Sequence, residues 1–208
     1  VAALLRIGDE LGLLRVAETP RKDTQMNLED DLAYELFSEM EIAERVAALG
    51  EAITKDYADK ADEGIVLICV LRGAAIFMGD LARQIKLPLE MDYMAVSSYG
   101  NGTKSSGVVR ILKDLSSSIE GKHVIIAEDI LDSGLTLKFL IKSLKARKPA
   151  SIEVCTLLRK DTPNQADVNC RYIGFECPNE FIVGYGLDYA ERYRNVSCIG
   201  VLKPEIYS

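Results

Sequence analysis

The seven residues Ile65-Val-Leu-Ile-Cys-Val-Leu71 constrain the fold more than any other stretch of this chain. They are apolar without interruption, and Gly64 introduces them. A half-exposed strand would alternate apolar and polar residues, and a membrane helix needs about 20 apolar residues in a row. What remains is a strand buried on both faces, the pattern of a parallel sheet covered by helices. The same theme returns downstream. Spacing predicts a helix over 74–86, strands over 91–97 and 124–127, a helix over 135–147, and strands over 152–158 and 181–184. Strands alternating with helices make the fold class α/β, with a mainly parallel, twisted sheet flanked by helices.

Upstream of that core, residues 1–14 read as a short amphipathic helix, and Glu18-Thr-Pro-Arg-Lys-Asp-Thr-Gln25 as a polar linker. One long helix is expected over 27–60, because Ile42, Val46, Leu49 and Ile53 recur every three or four residues. Residues 1–27 therefore form an N-terminal extension, helix plus linker, ahead of a single compact domain over 28–208. The extension is expected either to pack on a neighbouring subunit or to be the tail of an upstream domain. A start at Val1 rather than Met fits residues missing upstream.

Of the 208 residues, 48% are hydrophobic, too many for a disordered chain. Lys plus Arg (25) against Asp plus Glu (32) leaves a net charge of −7, which argues against non-specific binding to nucleic acid or to an anionic membrane. The five cysteines form no C-x-x-C pair, and the chain has no secretory segment, so reduced thiols in a cytoplasmic protein are expected. Cys69 and Cys155 lie in apolar runs and read as core residues. A single histidine, His123, removes any His-rich zinc site and reads as a strand-entry residue rather than a triad base.

Chemistry concentrates in Val124-Ile-Ile-Ala-Glu-Asp-Ile-Leu-Asp-Ser-Gly-Leu-Thr-Leu137. A buried strand ends in two acids, and a short turn then enters a helix. Open parallel sheets bind ligands at the carboxyl ends of their strands. The turn offers backbone N–H groups, the hydroxyls of Ser133 and Thr136, and the positive end of a helix, which together make a phosphate cradle. Gly134 lets the backbone approach a ligand. Glu128 and Asp129 would repel phosphate and suit sugar hydroxyls, a divalent metal or a developing positive charge. The plainer alternative is that Asp132-Ser is only a helix N-cap and the two acids a solvated strand end. Tyr99-Gly-Asn-Gly-Thr-Lys-Ser-Ser-Gly107 reads as a mobile lid loop, and it fits neither nucleotide-loop template.

Glu128-Asp-Ile-Leu-Asp-Ser-Gly-Leu-Thr136 resembles the phosphoribosyl-pyrophosphate (PRPP) motif of the type I phosphoribosyltransferases. Leu71-Arg-Gly73, Ser97-Ser-Tyr99, Leu157-Leu-Arg-Lys160, Gly174-Phe-Glu176 and Phe181-Ile-Val-Gly-Tyr-Gly-Leu-Asp-Tyr189 follow in the order of the hypoxanthine (guanine) phosphoribosyltransferases, in their bacterial form. The resemblance runs from about residue 36 to the C-terminus. It implies that 28–208 is a phosphoribosyltransferase domain with a small hood lobe and a lid. It also implies a purine-salvage enzyme, active with Mg2+, that makes IMP or GMP and pyrophosphate from PRPP and a 6-oxopurine.

Carried onto this sequence, Glu128 and Asp129 would face the ribose hydroxyls and the magnesium shell, and Asp132 would accept the proton at purine N7. Ser133, Gly134, Leu135 and Thr136 would hold the 5′-phosphate. Lys160 would hydrogen-bond the purine O6, Phe181 would stack on the base, and the Ile182 backbone would meet its Watson–Crick edge. Asp188 would lie at the purine subsite and bind a second magnesium. Arg72, Gly73 and Arg194 would bind pyrophosphate, with a cis peptide in the 71–73 loop, and Ser98 and Tyr99 would begin the lid. As bare residues, Lys160 is a surface lysine, Phe181 a core aromatic and Arg194 a helix-face charge. Relatives often carry Lys or Thr where this chain has Ser133 and Leu135, and some carry Lys at Arg72. A homodimer or homotetramer is implied by resemblance alone, with no nucleic-acid or membrane partner. Two rivals remain at this point: a PRPP sensor that binds nucleic acid, and a transferase for another base such as xanthine.

Overall fold

The computed structural model of the protein describes residues 28–99, 108–162 and 167–208. The helix expected over 1–14, the linker after it and residues 100–107 of the expected lid lie outside them. The described chain forms nine strands: β1 (Leu32–Phe37), β2 (Ile65–Leu71), β3 (Glu90–Tyr99), β4 (Val108–Lys113), β5 (His123–Leu131), β6 (Ser151–Lys160), β7 (Tyr172–Cys177), β8 (Ile182–Val183) and β9 (Ile199–Leu202). The helices are α1 (Glu39–Tyr57), α2 (Ala75–Gln84), α3 (Leu135–Lys145) and the short α4 (Pro204–Tyr207).

The main sheet has the order β4-β3-β2-β5-β6-β7. All its pairings are parallel except β3 with β4. Strand β2 sits inside it and is covered twice. Ile65, Leu67 and Cys69 pack with Ile42, Val46, Phe77 and Leu81 of α1 and α2. Val66, Ile68 and Val70 pack with Leu137, Leu140 and Leu144 of α3. The unbroken apolar run follows directly from this burial on both faces. Cys69 and Cys155 are core residues, as expected. His123 opens β5, with its Nδ1 2.7 Å from the Ser151 hydroxyl.

One expectation is overturned. The helix over 27–60 is instead a 3-10 turn (Leu28–Asp31), strand β1 and then α1. A capping box sets the break. The Ser38 hydroxyl accepts from the Glu41 N–H at 3.3 Å, and the Glu41 carboxylate accepts from the Ser38 N–H at 2.9 Å. Upstream of that cap, β1 pairs antiparallel with β9. Tertiary pairing thus overrides a local pattern that also suits a helix. Strands β4, β7 and β9 carry no expectation from the sequence, and the strand expected over 181–184 shrinks to the two residues of β8.

Strands β1, β9 and β8 make a second sheet, which is the small lobe. Its core is Val183, Tyr193, Val196, Cys198 and Leu202. The lobe joins the chain's C-terminal part to β1, and the turn that follows β8 packs on the 71–73 loop at Gly186 and Gly73. Among the described residues no helix is long and apolar enough to cross a membrane.

Candidate active site

Strand β5 runs to Leu131, past its expected end, and stays paired with β6 through Glu128↔Thr156, Ile130↔Leu158 and Leu131↔Arg159. Glu128 and Asp129 therefore lie within the strand, close enough for Asp129 to raise the Glu128 pKa. Glu128 lines a cavity of about 110 Å³ with Ile130, Leu131, Asp132, Ser133, Gly134, Thr136 and Leu137. Asp129 turns towards Gly73, where a Cβ would stand 1.6 Å from its Oδ2, so only glycine fits. Larger cavities lie between α1 and α2 and beside α3, at about 380 and 540 Å³. Neither contains the turn or the strand-end acids, so chemistry rather than size places the site.

The turn lines the Glu128 cavity with Ser133, Gly134 and Thr136. Gly134 adopts φ 72°, ψ 0°, and caps α3, whose first turn presents Leu135 and Thr136. A left-handed residue beside a helix start is the backbone arrangement in which successive N–H groups can converge on an anion. Leu135 is half exposed, so it contributes its backbone and no packing of note.

The two acids are electrostatically unlike surface carboxylates. Burial pushes Glu128 well above its usual range, and the adjacent Asp129 pushes it further. Its Oε2 is buried with no hydrogen-bond partner among the described residues. Burial also raises Asp129, to about 6, against the pull of the Ile130 N–H at 2.8 Å and of Arg194. Asp188 pushes it up again, so Asp129, Asp188 and Arg194 share one field.

Arg194 organises the third wall. Its Nη2 is 2.7 Å from Asp188 Oδ1 and 3.6 Å from Glu191 Oε2, and its Nη1 donates to the Gly186 carbonyl at 2.7 Å. Arg72 Nη1 also reaches Glu191 Oε2, at 2.8 Å. Gly186, at φ 105°, packs so tightly on the Gly73 carbonyl that a Cβ would come within 2.1 Å of it. The 71–73 loop, whose Leu71–Arg72 peptide is cis, is thus locked against the 184–194 turn and the β5 acids. Arg72, Gly73, Asp129, Asp188 and Arg194 come together in the structure. Glu191, which bridges both arginines, went unremarked as a site residue. Its only signal was its place three residues from Asp188 and three from Arg194.

On the other flank, Lys160 ends β6 opposite Cys177 of β7. Burial lifts the Cys177 thiol to about 11, with Lys160 pulling it down and Glu176 and Asp132 pushing it up. Phe181 and Ile182 lead into β8, with Phe181 37% exposed and Ile182 buried. The Phe181 ring is stacked on Tyr207 and meets Tyr189 edge-on. Tyr207 gave no signal in sequence. Ser98 and Tyr99 end β3, paired in register with Val109 and Val108 of β4. They are the last described residues before position 108.

Comparison with known proteins identifies the family. The family model for the phosphoribosyl transferase domain matches residues 34–190. A hypoxanthine-guanine phosphoribosyltransferase of Mycobacterium avium is 53% identical over 180 residues, which cover 85% of this chain and 89% of that protein. One from Bacillus subtilis is 51% identical over 180 residues, covering 86% of this chain and 98% of that protein. The crystal structure of a hypoxanthine phosphoribosyltransferase from Staphylococcus aureus superposes with a TM-score of 0.84 at 48% identity, covering 88% of this chain and 100% of that one. With the matched span reaching from β1 through the Asp188 turn, the chain belongs to the hypoxanthine-guanine phosphoribosyltransferases of the phosphoribosyltransferase family.

Proposed function

We propose that this transferase salvages purines: it moves the 5-phosphoribosyl group of PRPP to hypoxanthine or guanine, giving IMP or GMP and pyrophosphate. One observation carries the reading: an acid-bearing strand runs straight into a phosphate-sized cavity capped by a left-handed glycine. The 5′-phosphate lies against the N–H groups of Ser133, Gly134, Leu135 and Thr136 and the Thr136 hydroxyl. Glu128 and Asp129 face the ribose, whose C1 gains positive character as pyrophosphate departs, as in glycoside chemistry. Arg72, Gly73 and Arg194 take the departing pyrophosphate.

Lys160 donates to the purine O6, so an oxo group is accepted and the amino group of adenine is not. Phe181 stacks on the base, and the Ile182 backbone meets its edge. As the glycosidic bond forms, the proton on purine N7 passes to the Asp132 carboxylate. A carboxylate suits this role in a chain whose single histidine is held at the start of β5. Ser98 and Tyr99 begin the segment that shields the cation-like state from water.

The donor set fits magnesium. Among the described residues no three His, Cys, Asp or Glu side chains converge on one point. Mg2+ asks for less, since it keeps several waters and takes one or two carboxylates plus substrate phosphates. Glu128, with its unpartnered buried oxygen, and Asp129 would hold one ion, and Asp188 a second. When bound, the metal neutralises charge on the leaving group. We place the protein in the cytoplasm, as a homodimer or homotetramer, with small-molecule substrates as its ligands.

The test is a spectrophotometric assay with PRPP, magnesium and each of hypoxanthine, guanine, xanthine and adenine, run beside Asp132→Asn. Turnover of hypoxanthine and guanine but not adenine is expected, with kcat reduced by about 100-fold or more in the variant. Full activity in Asp132→Asn would take the proton-acceptor role from Asp132. No turnover with any base would sink the salvage reading.

A further inference from the structure

We infer that Tyr207, in the last helix, is a positioning residue for the purine base: its ring backs Phe181 so that Phe181 presents a fixed face to the base. The inference rests on the stacking role proposed for Phe181. The rings of Phe181 and Tyr207 are 4.8 Å apart between centroids and inclined by only 22°, a parallel stack. Tyr189 meets Phe181 edge-on at 5.5 Å and 89°, and meets Tyr207 at 6.4 Å and 66°. Phe181 thus has Tyr207 stacked on one face and Tyr189 at right angles to it, yet 37% of it remains exposed.

An aromatic ring that must stack on a ligand has to be held with its plane fixed before the ligand arrives. Phe181 stands at the entry to a strand of only two residues, a poor scaffold by itself. The neighbouring rings supply what the strand does not. Helix α4 is itself tied down beside Phe181. The Leu202 N–H donates to the Phe181 carbonyl at 2.9 Å, and the Lys203 N–H to the Asp31 carbonyl at 3.0 Å. Pro204 then opens the helix, and Lys203 Nζ reaches the Asp30 carbonyl at 2.6 Å. Within α4, Ile206 packs on the core of the small lobe, whereas Tyr207 is 37% exposed and spends its ring on Phe181 and Tyr189. Core packing and ring backing are therefore divided between two neighbouring side chains, and Tyr207 can be changed without opening the core. With a base bound, the order of layers is Tyr207, Phe181, purine.

The experiment is steady-state kinetics of the full chain for Tyr207→Ala, Tyr207→Phe and Phe181→Ala, with melting temperatures measured alongside. Tyr207→Ala should raise the KM for hypoxanthine about three- to tenfold, the scale of one aromatic pair. Its kcat and its KM for PRPP should stay within about twofold, a split that general loosening of the lobe would not give. Tyr207→Phe should restore the KM, because the stack needs the ring and not the hydroxyl. An unchanged base KM in Tyr207→Ala, with a raised one in Phe181→Ala, would overturn the backing role and leave the stacking reading standing. A lowered base KM in Tyr207→Ala would also overturn it, since the tyrosine would then be competing with the base for the ring. An unchanged base KM in Phe181→Ala would sink the stacking reading, and the role of Tyr207 with it.

Discussion

Two strands apart in one sheet, buried carboxylates meet opposite surroundings. Asp92 on β3 is 9% exposed. It accepts from the Tyr93 N–H at 2.8 Å, from the Ser116 N–H at 2.6 Å and hydroxyl at 3.3 Å, and faces Lys113 Nζ at 3.4 Å. Burial pushes its pKa up, but the two backbone donors and the lysine outweigh burial, and the group ends below its ordinary range. Glu128 and Asp129 on β5 are held the other way. Burial wins, both groups are raised, and Glu128 Oε2 has no partner among the described residues. A fold that needs only stability satisfies its buried polar atoms, as at Asp92. Unsatisfied charge concentrated at a strand end beside a phosphate turn is what a site reserved for a ligand looks like. Asp92 holds the 114–116 loop to the sheet, whereas Glu128 Oε2 is left without a bond among the described residues.

The comparison breaks most visibly at Gly73, the residue on which Asp129 rests. In Gly73→Ala the new Cβ would start 1.6 Å from Asp129 Oδ2, on a loop whose carbonyl is already in contact with Gly186. The carboxylate and the Arg72 loop must move apart, and a displacement of about 1 Å in a catalytic site can cost on the order of 100-fold. We expect kcat/KM to fall by that order, with the melting temperature also lowered, because overpacking costs about 1–3 kcal/mol. A variant with native kinetics would show that Asp129 has no fixed place in the reaction.

A matched pair of amide substitutions sharpens the contrast. Asp92→Asn exchanges a fully bonded carboxylate for a neutral group and should lower stability by about 1–3 kcal/mol in urea unfolding, with kcat/KM within twofold of the parent. Glu128→Gln should do the reverse. It removes a buried carboxylate whose ionised form is disfavoured and which lacks a partner, so stability should hold or rise, while activity falls at least about tenfold if Glu128 faces the ribose as proposed. If Glu128→Gln destabilises as much as Asp92→Asn does, the two carboxylates are not held differently, and the functional reading of the β5 pair loses its physical basis.

The main sheet was legible in sequence because its inner strands carry their own signature. Ile65–Leu71 is apolar on both faces whatever its neighbours are, and the β5 motif places acids, turn and helix within one short stretch. Strand β1 was not legible. Leu32 and Leu36 fit helical spacing as well as strand alternation, and the choice is made by β9 at the far end of the chain. The same distance hides Tyr207, which meets Phe181 only after β9 has carried it there. The network around Arg194 was hidden for a different reason. Tyr185, Ala190, Glu191 and Tyr193 all take positive φ, which non-glycine residues adopt rarely. That turn brings Asp188, Glu191 and Arg194 together, and no propensity rule anticipates it. Sequence therefore named Arg72 and Arg194 through resemblance and could not foresee that one carboxylate, Glu191, holds both.

The smallest effect is the shape of the stability curve between pH 3 and 7. Asp92 titrates lower in the folded chain than the ordinary 3.8, so the unfolded chain takes up its proton first as acid is added. Its contribution is complete above about pH 4 and is lost as pH falls through the folded value. Asp129 titrates at about 6 when folded and near 3.8 when unfolded, so between those values the folded chain holds the extra proton. Stability from this group is therefore greatest at the acid end of that window and declines as pH rises through it. Each group changes the slope by at most about 1.4 kcal/mol per pH unit, with opposite sign. Urea unfolding across this range should lose its acid limb in Asp92→Asn and its decline from about pH 4 to 6 in Asp129→Asn. If both variants flatten the same limb, the two carboxylates share one environment, and the division between a bonded acid on β3 and a reserved one on β5 does not hold.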